Sequence, residues 1–338
     1  MTRGTPAIRW QTLLSWAIAL GLLAFLLAQV SLRTLVDLFL HVNLAGVLIG
    51  VLLYMGTNVV RSLRVVWICD RPFSDTWPLL VPTLASSFGN NVLPARAGEP
   101  IFVWAAHERL RLSWGTSSAV MVIMRVFDTM LVAFIFVSAA LITGAAESSP
   151  VLGVISLLLG IAVVGTALLP WLGQYLVRIL VAVTRLSRRP KIIEFVEQEG
   201  ELAADAFTQL RAPRIYAGVV FTSLVIWVML FLWIFILVRS IGVNVTLGQS
   251  ILGSTFGILS KAVPFSSIGG WGAHEVGWTA GFMLLGFPSS LAISSGFAVN
   301  TLIIITSAVC GLPGWVTLTS DQRRRRAARL PVPSPEER

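Results

Sequence analysis

The sequence predicts an all-α polytopic membrane protein, and three observations predict it. Of 338 residues, 56% are apolar and only 12% are charged, with a mean hydropathy of +0.83. A soluble domain of this length needs far more polar surface. Apolar runs long enough to cross a bilayer recur along the chain, since about 20 residues span the hydrocarbon core. The 25 Lys and Arg against 16 Asp and Glu cluster between these runs, where a basic excess reports sidedness before it reports a nucleic-acid partner. No nucleic-acid binding is expected. Cys69 and Cys310 are too few and too far apart for a disulfide framework or a Cys-based metal site.

Six runs read as full spans: 12–31, 41–60, 117–142, 151–171, 214–238 and 290–315. The first follows Arg3 and Arg9 and is long for a signal core, with no clean small-x-small cleavage site after it, so it reads as a retained span. Two further stretches are interrupted. One is apolar over 76–92, stops at Pro94-Ala95-Arg96-Ala97-Gly98-Glu99-Pro100 and resumes to 106. The other is apolar over 247–263, stops at Pro264 through Gly269-Gly270-Trp271-Gly272 and resumes from Glu275 to 287. Neither second arm is long enough to cross alone.

Charge decides how these arms are threaded. With six spans and a cytoplasmic N-terminus, the groups Arg3/Arg9, Arg61/Arg64/Arg71, Arg109/Arg111, the 178–214 cluster and 323–326 all fall inside. Only Arg33 and Arg239 stay outside, whereas a complete crossing at 76–92 would put Arg109 and Arg111 outside, against the positive-inside rule. Two re-entrant helical hairpins are therefore expected, at about 76–110 and 247–287. Each half then reads span, span, hairpin, span, in opposite orientation, which is the inverted-repeat plan of many transporters. The halves are 1–142 and 143–316, with both termini cytoplasmic. Residues 172–213 form a cytoplasmic loop carrying a short amphipathic helix around Leu202, Ala206 and Leu210. The tail 317–338, basic and then Pro-rich, is expected to be disordered and to meet anionic lipid.

Unwound backbone at membrane depth is tolerated where it is buried in protein or lines a wet cavity. Both breaks should therefore face a central cavity, with the positive ends of the second arms pointing inward. Gly269, Gly270 and Gly272 would allow close backbone approach, although glycines also serve tight helix packing. Ionisable residues at this depth are functional candidates because they are costly there. Arg96 and Glu99 occupy the first break; Lys261, His274 and Glu275 flank the second. Arg96 suits a forked grip on a phosphate and Lys261 a second point charge. Glu99 and Glu275 would pair with these cations in the empty site or carry a coupling proton, and structural ion pairs are the alternative.

Arg125 and Asp128 stand three apart on one helix face, where they can pair along it or take part in holding the ligand. Arg61 and Arg64, one turn after Asn58, read as snorkelling anchors or as recruiters of an anionic headgroup. Asn90 and Asn91 read as caps for unwound backbone, and Asn300 carries no assigned role. His41 and His107 are isolated, so no metal is expected. No P-loop, HExxH or G-x-S-x-G motif is present. Hence no catalytic residue and no cofactor is assigned, although an intramembrane transferase is not excluded by residue types.

At the breaks, the stretch Arg61 to Trp67, the run from Ser87-Phe88-Gly89-Asn90-Asn91-Val92-Leu93-Pro94 to Glu99, Arg125-Val126-Phe127-Asp128, and Gly269-Gly270-Trp271-Gly272 become recognisable. They resemble the membrane region of lysylphosphatidylglycerol synthases, over about residues 12–316. The resemblance implies a lipid flippase fold that moves an anionic or aminoacylated lipid between leaflets. The chain ends about 20 residues after the last span, so lysyl transfer is not expected. His274 directly before Glu275, and Phe265-Ser266-Ser267-Ile268 before the glycines, depart from the family pattern and bear on headgroup choice.

The expectation is thus a multi-pass flippase of the bacterial inner membrane. Its partners would be an anionic or polyprenyl-linked lipid and bulk phospholipids, with a homodimer as one assembly. The rival is a non-transporting subunit that docks a cytosolic lipid- or glycan-modifying enzyme through 172–213 and the tail.

Overall fold

The computed structural model describes residue 36 and residues 40–93, 98–184, 190–261 and 270–329. The expected first span at 12–31, Arg96, Gly269 and the Pro264 turn lie outside them. Every element among the described residues is helical.

Helix α1 (Leu44–Ile68) starts where the Asn43 side chain accepts the Gly46 N–H at 3.2 Å. It runs eight residues past the expected end, so Arg61 and Arg64 lie inside a helix and not at its tip. Two helices follow a short 3-10 turn, α2 (Thr76–Val92) and α3 (Gly98–Leu110). Ser113 caps α4 (Trp114–Ile142) by accepting the Thr116 N–H at 3.0 Å. After the one-turn α5 (Ala145–Ser148), α6 (Pro150–Ala167) occupies the expected fourth span.

The segment expected to be a polar loop is largely helical, as α7 (Leu169–Thr184) and α8 (Pro190–Gln209). Ala206 and Leu210 are buried, and the Glu199 carboxylate accepts the Gly115 N–H at the start of α4. An apolar stripe on α8 and an acidic side chain at a helix N-terminus both favour docking on the bundle over a solvated loop. Pro213 opens α9 (Pro213–Ser240). Then come α10 (Leu247–Ser260), α11 (Ala273–Leu284) and α12 (Ser289–Arg329). Helix α12 continues through the basic run and past the expected end of the last span; 330–338 lie outside the described residues.

Among the described residues, four helices are long and apolar enough to cross a membrane: α1, α4, α9 and α12 over Ser289–Leu318. The arms of the two interrupted stretches are shorter, at 17, 13, 14 and 12 residues. At 1.5 Å per residue they reach roughly 18–25 Å, less than the ~30 Å hydrocarbon core. Each pair packs arm against arm. A Cβ on Gly98 would meet the Ser86 carbonyl at 2.1 Å, and one on Gly277 the Phe256 carbonyl at 2.5 Å. Glycine is what lets backbone meet backbone there.

The polarity is that of a membrane protein. Leu44, Leu48 and Leu52 on α1, and Val154, Leu157, Leu158 and Ile161 on α6, are exposed apolar stripes. Thr57, Asn58, Ser62 and Arg64 on α1, and Ser294, Ser295, Asn300, Thr306 and Ser307 on α12, are buried. A chain solvated by lipid turns its polar groups toward one another. Helix α1 lies along α9, with Gly50 against Trp233 and Leu237. Helix α2 lies along α12, where Cβ atoms on Gly311 and Gly314 would approach the Leu84 and Val81 carbonyls to 2.8 and 2.9 Å. Helix α4 meets the second hairpin through Phe136 and Phe256, edge to face at 5.9 Å. The chain is therefore a multi-pass, all-helical membrane protein.

Candidate functional site

A cavity of about 200 Å³ lies between the two hairpins, walled by α1, α2, α4, α9 and α12 as well. Helix α1 presents Tyr54, Arg61, Arg64 and Val65 to it, and α2 presents Ser86, Ser87, Asn90 and Asn91. The α1 spacings of three, four and seven residues place these side chains on one helix face.

Deepest in this wall is Arg64, 1% exposed. Its Nη1 donates to Asp128 Oδ1 at 2.6 Å and to Ser223 Oγ at 2.7 Å, and its Nη2 to Asp128 Oδ2 at 3.3 Å. One guanidinium thus ties α1 to α4 and α9. The anchor expectation for Arg64 is overturned: a planar fork with five donors satisfies two helices at once when turned inward. Arg125 does not pair with Asp128 either. Its Nε lies 2.5 Å from Glu99 Oε1, joining α4 to the first turn of α3. Partners on neighbouring helices displace the i,i+3 pair, because they hold the carboxylates without bending either side chain back along its own helix.

Arg61 lines the cavity one turn before Arg64. Its Nη1 donates to Ser87 Oγ at 3.1 Å, and Ser87 donates to Asn58 Oδ1 at 2.6 Å. Asn58 in turn donates to the Tyr54 carbonyl, and Asn91 to the Tyr54 hydroxyl at 3.0 Å. Asn91 therefore bridges two helices and does not cap the break. Asn90 also lines the cavity, and its buried Oδ1 has no hydrogen-bond partner among the described residues. No carboxylate pairs with Arg61 among the described residues.

The second hairpin supplies Lys261 and His274 to the same cavity. Lys261, at the end of α10, donates from Nζ to Asn300 Oδ1 at 2.9 Å, while Asn300 Nδ2 donates to Glu275 Oε1 at 2.8 Å. Glu275, fully buried, accepts the Gly272 N–H on Oε2 at 2.7 Å. The direct Lys261–Glu275 pair is thus replaced by a relay through the α12 amide. The expectation of open N–H groups at the start of α11 also changes, since Glu275 closes that end itself in the manner of a helix N-cap. Gly270 (φ +67°) and Gly272 (φ +85°) adopt left-handed backbone, and a Cβ on Gly270 would lie 2.9 Å from Lys261 Cε. Gly270 thus lies against the lysine stem. His274 is 2% exposed, packs beside Trp278, and its Nδ1 lies 3.7 Å from Glu275 Oε1 with no hydrogen-bond partner among the described residues.

The site therefore gathers Arg61, Arg64, Asn90, Asn91, Arg125, Asp128, Lys261 and His274 around one cavity. Glu99, Gly270, Gly272 and Glu275 stand behind them. Tyr54, Ser87, Ser223, Trp227, Trp233 and Asn300 complete the site without having been assigned to it from the sequence. A polar residue buried on an otherwise apolar span was the available signal for Asn300. Chemically, the cavity sets two cations with neutral partners, Arg61 and Lys261, into an aromatic and apolar wall.

The chain matches the family model described as the lysylphosphatidylglycerol synthase TM region over residues 12–311. It belongs to that family. No curated protein and no solved structure matches the chain. Membership ties this lysylphosphatidylglycerol synthase TM-region protein to lipid-related membrane function. In this family member the recognisable stretches converge: 61–67 on α1, 87–93 on α2 and 125–128 on α4 all contribute cavity walls.

Proposed function

We propose that the protein is a flippase that moves an anionic or lipid-linked headgroup between the leaflets of the bacterial inner membrane, without chemical change to the lipid. The observation that carries this reading is the pair Arg61 and Lys261. Arg61 on α1 and Lys261 on α10 line one cavity, and among the described residues they donate to the neutral side chains of Ser87 and Asn300, with Glu275 reached from Lys261 through the Asn300 relay. Spare positive charge at that depth is costly without an anion to meet it. A phosphate-bearing headgroup supplies one, while its tails remain in lipid.

The proposed arrangement is six spans with two re-entrant hairpins in an inverted repeat, both termini cytoplasmic. It is supported by the short, paired arms and by the packing. Helix α4, which closes the first half, meets the second hairpin, and α12, which closes the second half, meets the first hairpin. Rocking one half against the other would expose the cavity to each face in turn.

The test is lipid mass spectrometry on gently purified protein, followed by reconstituted flipping of labelled phosphatidylglycerol and polyprenyl phosphate. Wild type should retain an anionic lipid that Arg61→Ala and Lys261→Ala each lose. Bulk phospholipid held equally by all three proteins would overturn the reading and favour a docking role for the α7–α8 hairpin.

A further inference from the structure

His274 lines the cavity as a titratable group whose position is not accounted for by holding a helix. It is almost fully buried, its Nδ1 has no hydrogen-bond partner among the described residues, and Glu275 Oε1 stands at 3.7 Å. That oxygen is already engaged by Asn300. An unpartnered ring nitrogen in such a place leaves its desolvation uncompensated, which a second state that uses it would relieve.

The charged groups facing His274 are Lys261 from the end of α10 and Glu275 on its own helix; α12 contributes the neutral Asn300. Across the cavity stand Arg61, the Arg64–Asp128 pair and Arg125. With the cavity empty, a proton on His274 adds a further cation to a wall that already carries Arg61 and Lys261. An arriving phosphodiester reverses the sign of that interaction. Its negative charge favours the imidazolium, and the freed ring N–H gains an acceptor. Binding of proton and anion is then mutually favourable, and by linkage each strengthens the other equally.

We propose that His274 is a proton site and that the protein carries one proton with each anionic headgroup. The inference rests on the translocation reading above. The proton enters from water on the loading side, sits on the imidazole while the headgroup occupies the cavity, and leaves to water when the headgroup departs. No bond other than N–H forms or breaks. Moving one proton with one negative charge transfers no net charge, so the driving force is a pH difference and not a voltage.

The test uses wild-type protein in vesicles containing NBD-labelled phosphatidylglycerol, with dithionite reporting the outer-leaflet share. One set carries a one-unit pH gradient and the other a potassium–valinomycin potential at equal pH. The expected result is an inner-to-outer ratio displaced by about tenfold per pH unit and unmoved by the potential. His274→Gln, if it folds, should lose the response to pH and acquire one to voltage. Movement that follows voltage alone in the wild type would overturn the proton site and leave translocation standing. Absence of any protein-dependent movement would remove the translocation reading, and this inference with it.

Discussion

Arg64 and Asp128 are joined through both terminal guanidinium nitrogens, at 2.6 and 3.3 Å, in a place where the arginine is 1% exposed. The pair spans α1 and α4, and Ser223 extends it to α9 at 2.7 Å. Three helices that wall the cavity therefore share one buried charge pair. A pair of this kind adds little net stability over apolar residues of the same volume, yet removing one member leaves a charge stranded.

Asp128→Asn or Arg64→Ala should each destabilise the protein by about 3–5 kcal/mol. Thermal unfolding of detergent-purified variants reads this directly. The double variant Arg64→Met/Asp128→Leu should recover most of the loss. If the double variant is no better than either single, the pair is not a self-contained unit.

The relay through Asn300 makes a different prediction. Asn300→Leu leaves Lys261 Nζ and Glu275 Oε1 without the amide that now serves both. Two charged groups lose a partner, at about 1–3 kcal/mol each. Asn300→Gln, one methylene longer, should recover part of the stability. Retention of anionic lipid should fall in Asn300→Leu, read by mass spectrometry beside wild type; unchanged retention would detach the relay from the site.

Hairpin closure depends on two glycines. Gly98→Ala and Gly277→Ala would drive a Cβ to 2.1 and 2.5 Å from backbone carbonyls. Overpacking of this sort costs about 1–3 kcal/mol or more. Gly160→Ala on α6, where nothing lies within 4 Å of the added carbon, is the matched control. It should be neutral or stabilising by up to about 1 kcal/mol, from helix propensity. Equal melting temperatures for all three would contradict the packing.

The Arg125–Glu99 pair is half-exposed, with side chains 32% and 26% accessible. Screening limits such a pair to about 1 kcal/mol or less. Glu99→Gln should therefore melt close to wild type. Because it frees a third cavity cation, it should raise the amount of anionic lipid recovered with the protein. A fall in recovered lipid would place Glu99 on the side of binding.

The spans and the two interrupted stretches were legible because hydropathy and Pro/Gly punctuation are local properties. Helices α4, α9 and α12 begin within three residues of the expected spans. Partner choice was not legible. Arg125 and Asp128 sit at pairing distance along one helix, but each is claimed by a residue far away in sequence, Glu99 and Arg64. Asn300 looked like an isolated polar residue until α12 was laid against α10 and α11. The 172–213 segment read as a loop because a basic cluster over 185–191 and an acidic one over 194–205 interrupt its apolar residues. Its helicity follows from where Ala206 and Leu210 are buried, which depends on the rest of the bundle.

The close fit of Gly311 and Gly314 against α2 has a consequence for how the protein is made. Helix α2 leaves the ribosome long before the segment that will cover it, separated by more than half the chain. At 5–20 residues per second that interval is roughly 10–40 s. Throughout it, the face of α2 that carries Val81, Leu84 and Phe88 has no helix to lie against, because α12 has not been synthesised. The first hairpin therefore cannot settle as each segment emerges. The insertion machinery must hold it at the translocon, or admit it late, and slowed translation between residues 92 and 311 should increase its exposure to membrane proteases.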